Sequence, residues 1–168
     1  MPKLIKNNAV CDDDWLLVLD AEHMPASVQG AKVCLPFELW QTDAAAFAGC
    51  EAVAVWLNGD AAVEVVEKLS AQLAKFAMLA IHFPVFSDGR GYSLAQSLRA
   101  RYGYAGELRA IGDVLPDQLL YMQRVGFDAF SLREDKDPEL ALARFEDFSE
   151  TYQAAADQQK PLFARRTD

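Results

Sequence analysis

The chain has 168 residues, 52% of them hydrophobic and 24% charged, with a formal net charge of −9. That length fits one domain with a sizeable core. The acidic balance argues against a nucleic-acid footprint and against adsorption to anionic membranes, while leaving room for a small basic pocket. No apolar stretch approaches the roughly 18 residues of a bilayer span. The first eight residues lack the apolar run of a signal peptide, so a cytoplasmic protein is expected. Cys11, Cys34 and Cys50 are odd in number and form no CxxC pair, which speaks against a disulfide framework and against zinc-finger spacing. His23 and His82 are too few for a histidine-based metal site, and no metal is expected. No flavin or nicotinamide fingerprint is complete, so the cofactor is left unknown.

In chain order, residues 15–19 follow three aspartates and read as a short strand. Residues 32–35 read as another, with a loop around Pro25 between them. After Pro36, residues 37–47 have helical spacing, with Phe37, Trp40, Ala44 and Phe47 on one side. Residues 1–50 are thus the less regular part of a single domain spanning 1–168.

From Glu51 the pattern turns regular. Residues 52–57 are a continuous apolar strand ended by Asn58-Gly59-Asp60, and Asp60 is the expected N-cap of the next helix. Val63, Val66, Leu69, Leu73 and Phe76 mark that helix's buried face. Residues 77–83 form a strand ended by Pro84. Residues 93–102 form a helix closed by Gly103. A strand at 108–111, a turn at Gly112-Asp113, a helix at 115–125 closed by Gly126 and a strand at 127–132 follow. Asp137-Pro138 opens a final helix to about residue 156, and the polar tail, 157–168, is expected to fray.

Strands apolar on both faces, alternating with helices, predict an α/β fold with a mostly parallel sheet and right-handed crossovers. Two architectures fit: a partial (β/α) barrel or an open doubly wound sheet. The chain is too short for a complete barrel of about 250 residues.

In either architecture, ligands sit at the carboxyl ends of the strands. The loop there richest in chemistry is Asp88-Gly89-Arg90-Gly91-Tyr92-Ser93. Its glycines let a ligand approach the backbone, a helix start follows it, and Arg90 adds a fixed cation, so it is a candidate anion cradle. The competing reading is a turn in which Asp88 or Ser93 caps the helix and Arg90 pairs with Asp88 or Asp113. Arg109 lies inside a strand and is either a structural ion pair or a ligand contact. Arg99 and Arg101 point different ways on a helix and read as ion-pair partners of Glu107, Asp113 or Asp117. Asp113, at a strand end, is either a catalytic carboxylate or an N-cap. His82, just before the loop, is either a general base or a satisfied core histidine. Tyr92 and Tyr104 either close a pocket or simply pack.

The strings Phe83-Pro84-Val85-Phe86-Ser87-Asp88-Gly89-Arg90-Gly91-Tyr92-Ser93, Gly106-Glu107-Leu108-Arg109-Ala110, Gly112-Asp113-Val114-Leu115 and Gly126-Phe127-Asp128-Ala129-Phe130 resemble the bacterial family of unknown function numbered 934. The resemblance covers about residues 40–132. It implies a role beside assimilatory sulfite reduction. Members are described as oxidoreductases of that process because their genes tend to lie beside that of the sulfite reductase hemoprotein. The family supplies no catalytic residues to carry over.

Three functions are therefore open. The first is an accessory protein or oxidoreductase of sulfite reduction. It would hold a small anion with Arg90 and Arg109, Asp113 orienting them and His82 or Asp113 moving protons, or it would dock on the reductase hemoprotein. The second is a non-catalytic interaction protein whose sheet edges are covered by a partner or by a homodimer. The third is a barrel-like enzyme acting on an anionic metabolite.

Overall fold

A computed structural model of the chain describes residues 2–165. Six strands lie side by side in chain order, all parallel. They are β3 (Trp15–Leu17), β4 (Lys32–Pro36), β5 (Ala52–Asn58), β6 (Met78–Phe83), β7 (Glu107–Gly112) and β8 (Ala129–Phe130). A hairpin of β1 (Lys3–Lys6) and β2 (Ala9–Asp12) joins the β8 edge, with β1 antiparallel to β8. Its two-residue turn, Asn7-Asn8, has φ of 50° and 60°. This is the left-handed pair that a tight hairpin turn requires and that asparagine tolerates.

The sheet is mostly parallel and never reverses its strand order, which is barrel winding rather than the switch point of a doubly wound sheet. Its two edges, β2 and β3, are joined by Asp13 and Asp14 alone. Three Cα steps reach at most about 11 Å. A flat eight-stranded sheet would be about 34 Å wide at the usual strand spacing. The sheet must therefore curl until its edges approach at one corner.

Curling gives the sheet an inner and an outer wall. Val33, Leu35, Val55, Leu57, Leu79, Ile81, Leu108 and Ala110 point outward into the main core beneath the helices. Their alternates Cys34, Ala54, Trp56, Met78, Ala80 and Ile111 form a smaller inner cluster with Trp15. Burial pushes the Cys34 thiol up to about 12, so it fills space as an apolar group.

The helices depart from their expected bounds for local reasons. α1 (Phe37–Thr42) stops at Asp43, whose carboxylate accepts the Ala46 N–H at 3.3 Å and starts a separate 3-10 turn, Ala44–Phe47. α2 (Val63–Ser70) begins after Ala62, not at Asp60, and leaves Val63 exposed. α3 (Arg90–Ala100) starts three residues early, so Arg90 to Ser93 form its first turn rather than a loop. α4 (Leu119–Val125) follows a 3-10 turn, Pro116–Gln118, and ends at Gly126 as expected.

The final helix is the largest departure. α5 (Pro138–Ala141) is capped by Asp137 as expected but passes into a 3-10 turn, Leu142–Glu146, and ends. Phe145 is its last side chain against the core, 5.4 Å from Phe130, and the residues after it are mostly exposed. Residues 157–165 include α6 (Leu162–Arg165). Residues 166–168 of the expected tail lie outside the described residues. Among the described residues no helix is long and apolar enough to cross a membrane.

Candidate functional site

His82 lies on the inner wall near the carboxyl end of β6, in register with Asn58 of β5 and Ile111 of β7. Its Nδ1 is 3.0 Å from Asn58 Oδ1. A carbonyl oxygen only accepts, so Nδ1 carries the proton and Nε2 presents a lone pair. Half-burial holds the imidazole below its usual pKa, so it is neutral at pH 7. Trp56 forms the floor, its ring 5.1 Å from the imidazole, and is itself fixed by Nε1–H donating to the Val18 carbonyl at 2.9 Å. Gly112 has φ +94°, and a Cβ there would lie 2.4 Å from the Phe83 oxygen and 2.8 Å from the His82 ring. Only glycine lets β7 pass this close to the histidine.

The loop after β6 is braced from β7. Asp113 Oδ2 accepts the Phe86 N–H at 2.9 Å, and its Oδ1 accepts from Arg133 at 3.1 Å. Gln118 Nε2 donates to the Phe86 carbonyl at 2.7 Å, and the Asp88 N–H donates to Val85 O at 3.1 Å. Asp113 thus orients Arg133 and the loop backbone, not Arg90 or Arg109, and both its oxygens are engaged. Val85 and Phe86 remain half-exposed on this fixed backbone. Gln118 and Arg133 were not singled out from sequence, where each is one polar residue in a polar turn.

Arg90 pairs with Asp88 through Nε at 2.9 Å and Nη2 at 2.7 Å, and reaches Asp60 at 3.2 Å. Asp88 also accepts the Arg90 N–H, and the arginine beside it holds its carboxyl at about 2. Asp60 therefore answers Arg90 instead of capping α2. Gly89 is the residue before α3. Gly91 is buried against Phe83, and its N–H side is covered by Gly59, where a Cβ would lie 2.6 Å from the Gly91 nitrogen. Tyr92 packs between Phe83 at 5.4 Å and Tyr121 at 5.1 Å. Tyr104 also packs, its hydroxyl donating to Glu107 O at 3.0 Å, and burial pushes it up to about 12. Ser93 and Arg90 share a groove of about 440 Å³ with Ser97 and Arg101 between α2 and α3.

Arg109 sits elsewhere, on the inner wall below His82. Its side chain is 4% exposed. Its guanidinium meets Asp13 at 3.0 and 3.1 Å and Glu107 at 2.8 and 3.0 Å, and Lys6 meets Glu107 at 2.6 Å. Arg90 and Arg109 share none of these carboxylates. Arg99 is likewise saturated, but not by the partners expected: it donates to the carbonyls of Tyr104, Gly106 and Gly126 and pairs with Asp128 at 2.8 Å. Arg101 lies 3.8 Å from Glu67. Among the described residues no three His, Cys, Asp or Glu side chains come together to hold a metal ion.

No curated protein and no solved structure matches the chain. A family model described as "Bacterial protein of unknown function (DUF934)" matches residues 54–163, which take in every strand from β6 onward, the braced loop and His82. With well over half its length matched, the chain belongs to this family.

Proposed function

We propose that the protein is an accessory factor of assimilatory sulfite reduction that docks on a partner through the carboxyl-end face of its barrel. One observation carries this reading. The loop at 84–88 shows two large apolar side chains, Val85 and Phe86, on a backbone held by Asp113, Gln118 and its own turn. Ordering a loop is a main cost of binding, and here it is met before the partner arrives. Rigid apolar anchors beside polar groups are what interface hot spots are made of. The resemblance read from the sequence names the sulfite reductase hemoprotein as the partner to try. Phe86→Asp should leave the melting temperature within a degree or two, because the side chain is half-exposed. The same change should weaken capture of the hemoprotein about tenfold or more. Equal capture by the variant overturns docking through this loop.

A second reading is supported by the groove in which Arg90, Arg101, Ser93 and Ser97 meet. A small anion such as sulfite would bind there, or an anionic metabolite if the protein is an enzyme. Its test is thermal stabilisation by sulfite, sulfate or phosphate that disappears in Arg90→Ala. A shift unchanged in the variant removes the groove.

A further inference from the structure

The C-terminal segment forms another cleft, of about 400 Å³, against α4 and remote in sequence from the loop just described. Its walls are Tyr121, Phe148 and Tyr152, which are 57%, 67% and 65% exposed. Three large rings so open around one concavity are unusual on a protein surface, where apolar patches mark contact sites. The Tyr121 ring is backed by Tyr92 at 5.1 Å and that of Tyr152 by Phe163 at 6.5 Å, so two of the three are supported by packing.

The polar lining is acidic. Asp117 and Glu150 stand at the cleft with Asp147. Glu150 meets Arg165 at 2.9 Å and Asp147 meets Arg144 at 3.4 Å, whereas Asp117 is exposed and enters no ion pair among the described residues. The cleft's own cation, Arg124, is turned into the protein: its side chain is 13% exposed and donates to Gln153 O at 2.6 Å, with Asp157 at 3.4 Å. Aromatic faces carry negative quadrupole charge. A ring turned face-on to the cleft adds to the sign of the carboxylates, as does the overall charge of −9.

We propose that this cleft binds an organic cation, an alkylammonium or guanidinium group seated against Tyr121, Phe148 and Tyr152 with Asp117 as its counter-charge. Such a group satisfies ring faces and carboxylate together, which neither a neutral apolar ligand nor an anion does. The cation is either a free metabolite or a lysine or arginine side chain of another protein. The inference is independent of the sulfite-reduction reading.

The test is a calorimetric or NMR titration of the full chain with choline, with its neutral isostere 3,3-dimethylbutanol, and with a blocked Gly-Arg-Gly peptide. Choline or the peptide should bind about tenfold or more tightly than the isostere. Preference for choline marks a small-molecule site, and preference for the peptide marks a side-chain site. Tyr152→Ala should abolish the preference for cation over isostere, and Asp117→Asn should reduce it severalfold, with more effect at low salt. All three aromatic side chains are largely exposed, so the variants should keep the wild-type melting temperature, which is checked alongside. Equal binding of choline and its isostere, no binding of either cation, or a preference that survives Tyr152→Ala overturns the proposal.

Discussion

The two ends of the barrel's inner wall use polar groups in opposite ways. At the lower end, Lys6, Glu107, Arg109 and Asp13 form a chain of contacts in which the arginine is nearly inaccessible and engaged by both carboxylates. At the carboxyl end, one hydrogen bond to Asn58 engages His82 on one side only, and its other nitrogen is left with a lone pair. The lower network joins β1, β7 and the link between β2 and β3, so its charges act as cross-braces of the curl. The upper pair braces little. Arg109 is fully paired and His82 keeps spare hydrogen-bonding capacity, although residue type alone left both open as structural or ligand-contacting residues.

Breaking the lower end should have the largest effect. Asp13→Ala leaves Arg109 buried with one carboxylate instead of two and should cost about 3 kcal/mol, read as a loss in urea midpoint. Adding Arg109→Met should recover part of that loss, because the uncompensated charge goes with it. Asp13→Ala alone at wild-type stability would remove the brace. At the upper end, Gly112→Ala forces a side chain into the left-handed region and against the Phe83 oxygen, costing about 2 kcal/mol. It should also move the His82 ring resonances, and an unshifted histidine would show that the glycine does not fit the ring.

The smallest effect concerns pH. Burial lowers the His82 pKa below its ordinary 6.5, so the unfolded chain takes up this proton more readily. Stability from this group is therefore complete above pH 6.5 and falls as pH drops from there to the folded-state pKa. His82→Gln should flatten the stability profile between pH 7.5 and 5.5, measured as a difference from wild type. A parallel profile would mean that the imidazole is not desolvated.

The regular part of the fold was legible because β5, β6 and β7 are largely buried on both faces and read as apolar runs, interrupted internally only by His82 and Arg109, between glycine and proline stops. The first hairpin was not, since Leu4 and Ile5 are only two apolar residues. The signal that would have found it is Asn7-Asn8 between two four-residue strands. The last helix was overextended because Asp137-Pro138 announces a start, while the stop is set by where the core ends, at Phe145. At the site, the pairing of Arg90 with Asp88 is local and was anticipated as one alternative. One partner of Arg109, Glu107, is also local, but the other, Asp13, is 96 residues away, across a curl that no local pattern encodes.

That curl also sets a timetable. The hairpin leaves the ribosome well before its partner strand β8, which is made last of the eight, with Ile5 opposite Phe130. At about 5–20 residues per second, the hairpin waits roughly 6–25 s for that partner. A two-stranded hairpin is marginal by itself, so Leu4 and Ile5 stay uncovered for the interval. Joining the hairpin to β8 is then a late event over a long loop, and the uncovered hairpin is where a chaperone would find its handhold.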